Sequence, residues 1–163
     1  MLGRAASGIG ALSCRVIAPT PADVAVAYEA RGVQGVLTGA DRHGPDAEHP
    51  RFWRRDDGVH VDLGHVDEIS RFAVVVRSSG GTLVGTTATG ARIDLDLPDD
   101  GRSVALTGHV VLGCLVLRAE GRSVTGTLRD AADAYGYDDV TWASPDRPLS
   151  PSHPHPHPHE GNL

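Results

Sequence analysis

Apolar and polar residues alternate along most of this chain in short runs, and that two-residue period predicts strands rather than helices. In DVAVAYEA, Val24, Val26 and Tyr28 fall on one side. VQGVLTG follows after Arg31-Gly32, a turn that would fold it back as a hairpin partner. Val59, Val61 and Leu63 alternate with His60 and Asp62, and Ile93, Leu95 and Leu97 with Asp94 and Asp96. FAVVVR is apolar without interruption, as a central strand covered on both faces would be. Ser78-Ser79-Gly80-Gly81 predicts a turn that returns TLVGTT, and Asp99-Asp100-Gly101 a further hairpin. ALSCRVI opens the series, and SVAL, HVVLGCLVLR and SVTGTLR supply three more strands. One short helix is expected late, in LRDAADAY, with an aspartate cap.

About nine or ten strands with turn signals at this spacing predict an all-β, two-sheet β-sandwich. Residues 1–10 read as a flexible start, 11–143 as the sandwich domain, and 144–163 as a disordered tail rich in His and Pro. The 163 residues suit one domain. The 20 glycines and 11 prolines supply its turns, and with 4% aromatics the core must rest on Val, Leu, Ile and Ala. The formal charge of −6 argues against nucleic acid as a partner. All 15 basic side chains are arginine. No stretch reaches transmembrane length and no convincing signal peptide is present, so the expected location is cytoplasmic.

Several groups invite a chemical reading. HPHPHPHE, residues 153–160, places His153, His155, His157 and His159 between prolines. In a polyproline II conformation alternate residues point different ways, and proline withholds the amide nitrogens that copper and nickel use. A loose imidazole array for zinc, nickel or copper is what remains. Asp94, Asp96, Asp99 and Asp100 could gather oxygen ligands, and His60, Asp62 and His65 imidazole and carboxylate ligands; a solvated surface is the ordinary explanation of both groups. His109 reads as a strand-edge histidine. Cys14 and Cys114 read as buried free thiols, bridged only if their strands are adjacent. No nucleophile elbow, phosphate-binding loop or dinucleotide fingerprint is present, so no catalytic residue is assigned.

One stretch, DDGVHVDLGHVDEISRFAVVV, resembles the TerD family of bacterial tellurium-resistance and stress proteins. There an acidic pair precedes an I-x-V-D-L strand, and a short link leads to an apolar strand. Here Asp56-Asp57 precede Val59–Leu63, and Phe72–Val76 follow. The resemblance implies a β-sandwich with acidic calcium sites, Asp56 and Asp57 standing where some ligands lie. The family's Gly-Asp-Asn motif is replaced here by PRFWRR, and Arg54 and Arg55 would oppose a dication. The leading expectation is therefore a non-enzymatic, stress-related binding or scaffold module. Its alternatives are a metal-handling protein working through the His-Pro tail, and an enzyme whose site is assembled from distant residues.

Overall fold

A computed structural model describes residues 10–39, 51–55, 58–99 and 101–150. Asp56, Asp57, Asp100 and the four tail histidines lie outside the described residues. Ten strands make two five-stranded antiparallel sheets, so the expected sandwich is the fold. In chain order they are β1 (Ala11–Ile17), β2 (Asp23–Ala30), β3 (Val33–Leu37), β4 (Phe52–Arg55), β5 (Gly58–Asp62), β6 (Ile69–Ser78), β7 (Thr82–Thr87), β8 (Arg92–Asp96), β9 (Gly101–Val111) and β10 (Cys114–Ser123). Sheet A runs β4-β5-β1-β7-β8 and sheet B runs β10-β9-β6-β2-β3. The chain crosses between the sheets five times, and β1 and β6 are the central strands. No helix is long and apolar enough to cross a membrane among the described residues.

The run Phe72–Val76 lies on β6 and is buried on both faces, as its unbroken apolarity predicts. Phe72, Val74 and Val76 join the core between the sheets. Ala73 and Val75 face a second apolar cluster outside sheet B. That cluster is closed by helix α1 (Leu128–Asp133) and the segment after it, through Leu128, Ala131, Ala132, Tyr137 and Val140. The alternating positions of β2 divide in the same way: Val24, Val26 and Tyr28 point to the first core, Ala25 and Ala27 to the second. Sheet B is therefore the middle layer of three. The aromatic residues contribute more than their number suggests. Phe52 of sheet A stacks on Tyr28 of sheet B at 4.7 Å and meets Phe72 edge-on at 6.0 Å, tying the two sheets together.

Turn chemistry decides the connections. Arg31 and Gly32 both have positive φ (50° and 73°), the geometry of a tight two-residue hairpin, and β2 pairs with β3 as expected. Leu112 and Gly113 repeat it (52° and 72°), so HVVLGCLVLR is not one strand but the tip joining β9 to β10. Neither Ser78–Gly81 nor Asp99–Gly101 makes a hairpin. β7 pairs with β1 and β8, across the core from β6, and β8 and β9 lie in different sheets. Gly81 makes the first crossing possible, because a β-carbon there would collide with the Ile17 carbonyl.

SVTGTLR is not a strand throughout. Beyond Ser123 it leads into α1, whose cap is Thr127 rather than an aspartate. Thr127 and Asp130 form a reciprocal capping box, and its hydrogen bonds with Thr127 lower the Asp130 pKa. The fold also passes the boundary set at residue 143. Trp142–Ser144 (β11) pairs with Arg147–Pro148 (β12), and the Leu149 amide donates to the Thr141 carbonyl at 2.8 Å. Proline ends helices, but Pro148 occupies a two-residue edge strand, where a missing donor is tolerated.

Two expectations follow. Gly108 is the register partner of Phe72, whose ring occupies the space a β-carbon would need. Gly108→Ala should destabilise the chain by about 1–3 kcal/mol in urea unfolding, because both sites are closely packed. The second concerns acid. Hydrogen bonds from Arg51 and then Arg31 lower the Glu68 pKa from 4.5 to about 2. A depressed folded pKa stabilises above the unfolded value and is lost as pH falls through the folded one. Stability should therefore decline between pH 4.5 and about 2, and Glu68→Gln should lack that part of the decline.

Candidate functional site

The two outer faces of the sandwich are treated differently. Helix α1 and its following segment cover much of sheet B. Over sheet A, no element among the described residues forms a corresponding apolar cluster. The register of sheet A then sets a cross-strand row on this open face. Trp53 pairs with His60, His60 with Ser13, Ser13 with Thr86, and Thr86 with Arg92. Each residue comes from a different strand, β4, β5, β1, β7 and β8. Directly opposite residues on one face are the closest neighbours a sheet provides. Trp53, His60, Ser13 and Thr86 are half-buried and Arg92 is exposed.

The row is organised by short-range contacts. The His60 ring stacks on Trp53, centroids 5.3 Å apart and planes 10° apart. Ser13 Oγ and His60 Nδ1 share a hydrogen bond of 2.8 Å, which fixes the ring from the other strand. Arg92 Nε donates to both oxygens of Asp94 at 3.0 Å, two residues along the same face. This bond raises the Arg92 pKa and keeps the guanidinium charged. An aromatic ring, an imidazole, two hydroxyls and a paired guanidinium thus stand in line on a rigid sheet. Such a line can stack, donate and accept.

The residues singled out from sequence are distributed otherwise. His60, Asp62 and His65 do not act together: Asp62 Oδ2 meets His65 Nδ1 at 2.6 Å, and its other oxygen accepts from the Gly64 amide at the start of a 3-10 turn. Asp94 is held by Arg92, while Asp96 and Asp99 are exposed. Among the described residues, no group of three or more His, Cys, Asp or Glu side chains could hold a metal ion. Asp56 and Asp57 lie outside those residues; next to them Arg54 donates to the Val24 carbonyl and Arg55 is exposed. Two adjacent arginines do not favour a dication there. His109 is exposed on β9. Cys14 and Cys114 are both free, on β1 and β10 of different sheets. Cys14 is buried as expected, whereas Cys114 is only partly so.

Sequence reading found His60 but not its companions Trp53, Ser13, Thr86 and Arg92. Residues on neighbouring strands become a row only once the register is known, and β1 pairs with strands distant in sequence. Comparison with known proteins gives no match to a family model, to a curated protein or to a solved structure.

The two thiols should differ in reactivity. Burial pushes Cys14 up to about 12, so it holds little thiolate near neutrality. A thiol-specific reagent should modify Cys114 in the native chain and reach Cys14 only after unfolding, as peptide mapping of the labelled protein would show.

Proposed function

We propose that this chain is a non-enzymatic binding or scaffold module of the kind found among TerD-like stress proteins. The sandwich is its scaffold and the open face of sheet A its contact surface. The observation that supports this reading most directly is the Trp53–His60–Ser13–Thr86–Arg92 row. It stands on the face that the third layer leaves uncovered among the described residues. Rigid sheet positions hold such groups more accurately than loops do, so little ordering cost attends contact. His60 is held in place within this row. Its Nδ1 bonds Ser13 and its face rests on Trp53.

The stress-protein part of the proposal rests on the stretch from Asp56 to Val76. There Val59 and Val61 pack inward, and Phe72–Val76 form the central strand. The calcium implied by that resemblance, and the zinc, nickel or copper suggested by His153, His155, His157 and His159, would be held by residues outside those described.

The test is expression of the full chain in a tellurite-sensitive bacterium. The chain should raise tolerance over the empty vector, and the double variant Trp53→Ala/Arg92→Ala should lose at least half of that gain while keeping a cooperative thermal transition. Growth equal to the vector control would remove the stress-protein reading. Full protection by the folded double variant would remove the open face as its contact surface.

A further inference from the structure

On the other side of the molecule, β2, β6 and β9 end beside α1 and the β11–β12 turn, lining an open cleft of about 100 Å³. One side of it is an ion pair between a buried arginine and an exposed aspartate. Arg102, whose side chain is 9% exposed, donates to Asp146 Oδ1 at 2.9 Å and to the Gly126 carbonyl at 2.6 Å. The same aspartate oxygen accepts from the Leu128 amide at 2.8 Å. These bonds fasten the turn to the sheet and leave the second Asp146 oxygen without a protein donor among the described residues.

At the mouth stands a second pair of opposite charges, differently held. Arg77 Nη2 and Asp23 Oδ2 are 4.0 Å apart, beyond hydrogen-bond length, with side chains 62% and 53% exposed. Asp23 and Arg77 are register partners on β2 and β6, so the backbone fixes their separation. Ala25, Val75 and Leu128 give the cleft an apolar floor. The site thus offers a carboxylate and a guanidinium side by side, both under-used, above a small greasy surface.

We infer that this cleft binds a small zwitterion: an α-amino acid with a short aliphatic side chain. The ammonium group pairs with Asp23 and the free oxygen of Asp146. The carboxylate takes the two-pronged guanidinium of Arg77, which suits it geometrically. The side chain rests on Ala25, Val75 and Leu128. Charge excludes the simpler ligands. An isolated anion meets two aspartates and an isolated cation two arginines, whereas a molecule with both charges on one carbon satisfies both. Size sets the other limit, since 100 Å³ holds a few heavy atoms and is far below an ordinary drug-sized pocket.

This inference does not rest on the open face, which belongs to sheet A. The experiment is an NMR titration of the isotope-labelled full chain with L-alanine, and with acetate, methylammonium and L-phenylalanine as controls. Alanine should shift the amides of Asp23, Arg77 and Leu128 saturably. Acetate and methylammonium, each carrying half of the recognition, should bind at least about tenfold more weakly, as the loss of one charge-assisted contact implies. Phenylalanine should do the same because its ring is larger than the small apolar floor of Ala25, Val75 and Leu128. Arg77→Gln and Asp23→Asn, at exposed positions, should keep the native spectrum and each weaken alanine about tenfold. Absence of saturable shifts with alanine would overturn the inference. So would unchanged alanine affinity in both variants, or controls that bind as tightly as alanine.

Discussion

Everything in this architecture follows from a strand that must be dry on both sides. Phe72–Val76 offers no polar face, so β6 can sit only in the middle of a sheet with an apolar layer above and another below. Sheet A supplies one layer through Val59, Val61, Leu12 and Cys14. Among the described residues no second large sheet covers the other side. A six-residue helix and the turn after it provide the cover, using Leu128, Tyr137 and Val140. The residues of sheet B that face this thin third layer are alanines and valines. Ala25, Ala27 and Ala73 let the helix approach closely, Val36, Val75 and Val104 pack beside them, and the aromatics Tyr28 and Phe72 point the other way.

A short helix has little intrinsic stability, so the third layer needs fastening. Arg71 does much of this. It pairs with Glu29, donates to the carbonyls of Tyr135 and Gly136, and lies 4.6 Å over the Tyr137 ring. Arg102 fastens the other end through Gly126 and Asp146. Thr107 donates to Glu120 at 2.9 Å, and the Tyr135 hydroxyl lies near the other oxygen of that carboxylate. An all-arginine basic set suits this use, because a planar guanidinium reaches several carbonyls and carboxylates at once, which an ammonium does less well.

Much of the fold was legible because burial imposes a period of two. Val59/Val61, Val24/Val26 and the unbroken β6 run all sit where their patterns place them. Pairing was less legible. A glycine-rich turn such as Ser78–Gly81 looks alike whether the next strand returns alongside or crosses the core, and here it crosses. Leu112-Gly113 was missed because leucine is a poor choice for a left-handed turn position, yet it adopts φ 52°. The residues of the contact row carry no local signature at all. Trp53, Ser13 and Arg92 are ordinary polar-face residues until the order β4-β5-β1-β7-β8 puts them in line. Charge pairs such as Asp23 and Arg77 meet only through a register that no short window of sequence contains.

The central position of β1 has a consequence for how the molecule is made. Its neighbours are β5 and β7, and Leu12 is opposite Val61 on one side and Thr87 on the other. During synthesis the strand leaves the ribosome well before either partner. Until β7 follows, it carries unpaired amides and the apolar residues Leu12, Cys14 and Val16. Closing such distant contacts costs loop entropy before any burial is gained, so this topology folds slowly. The alternation of Leu12, Cys14 and Val16 with Ser13 and Arg15 then acts as protection as well as pattern. A lone β1 has a polar, charged side, and that side discourages stacking with other nascent chains while it waits.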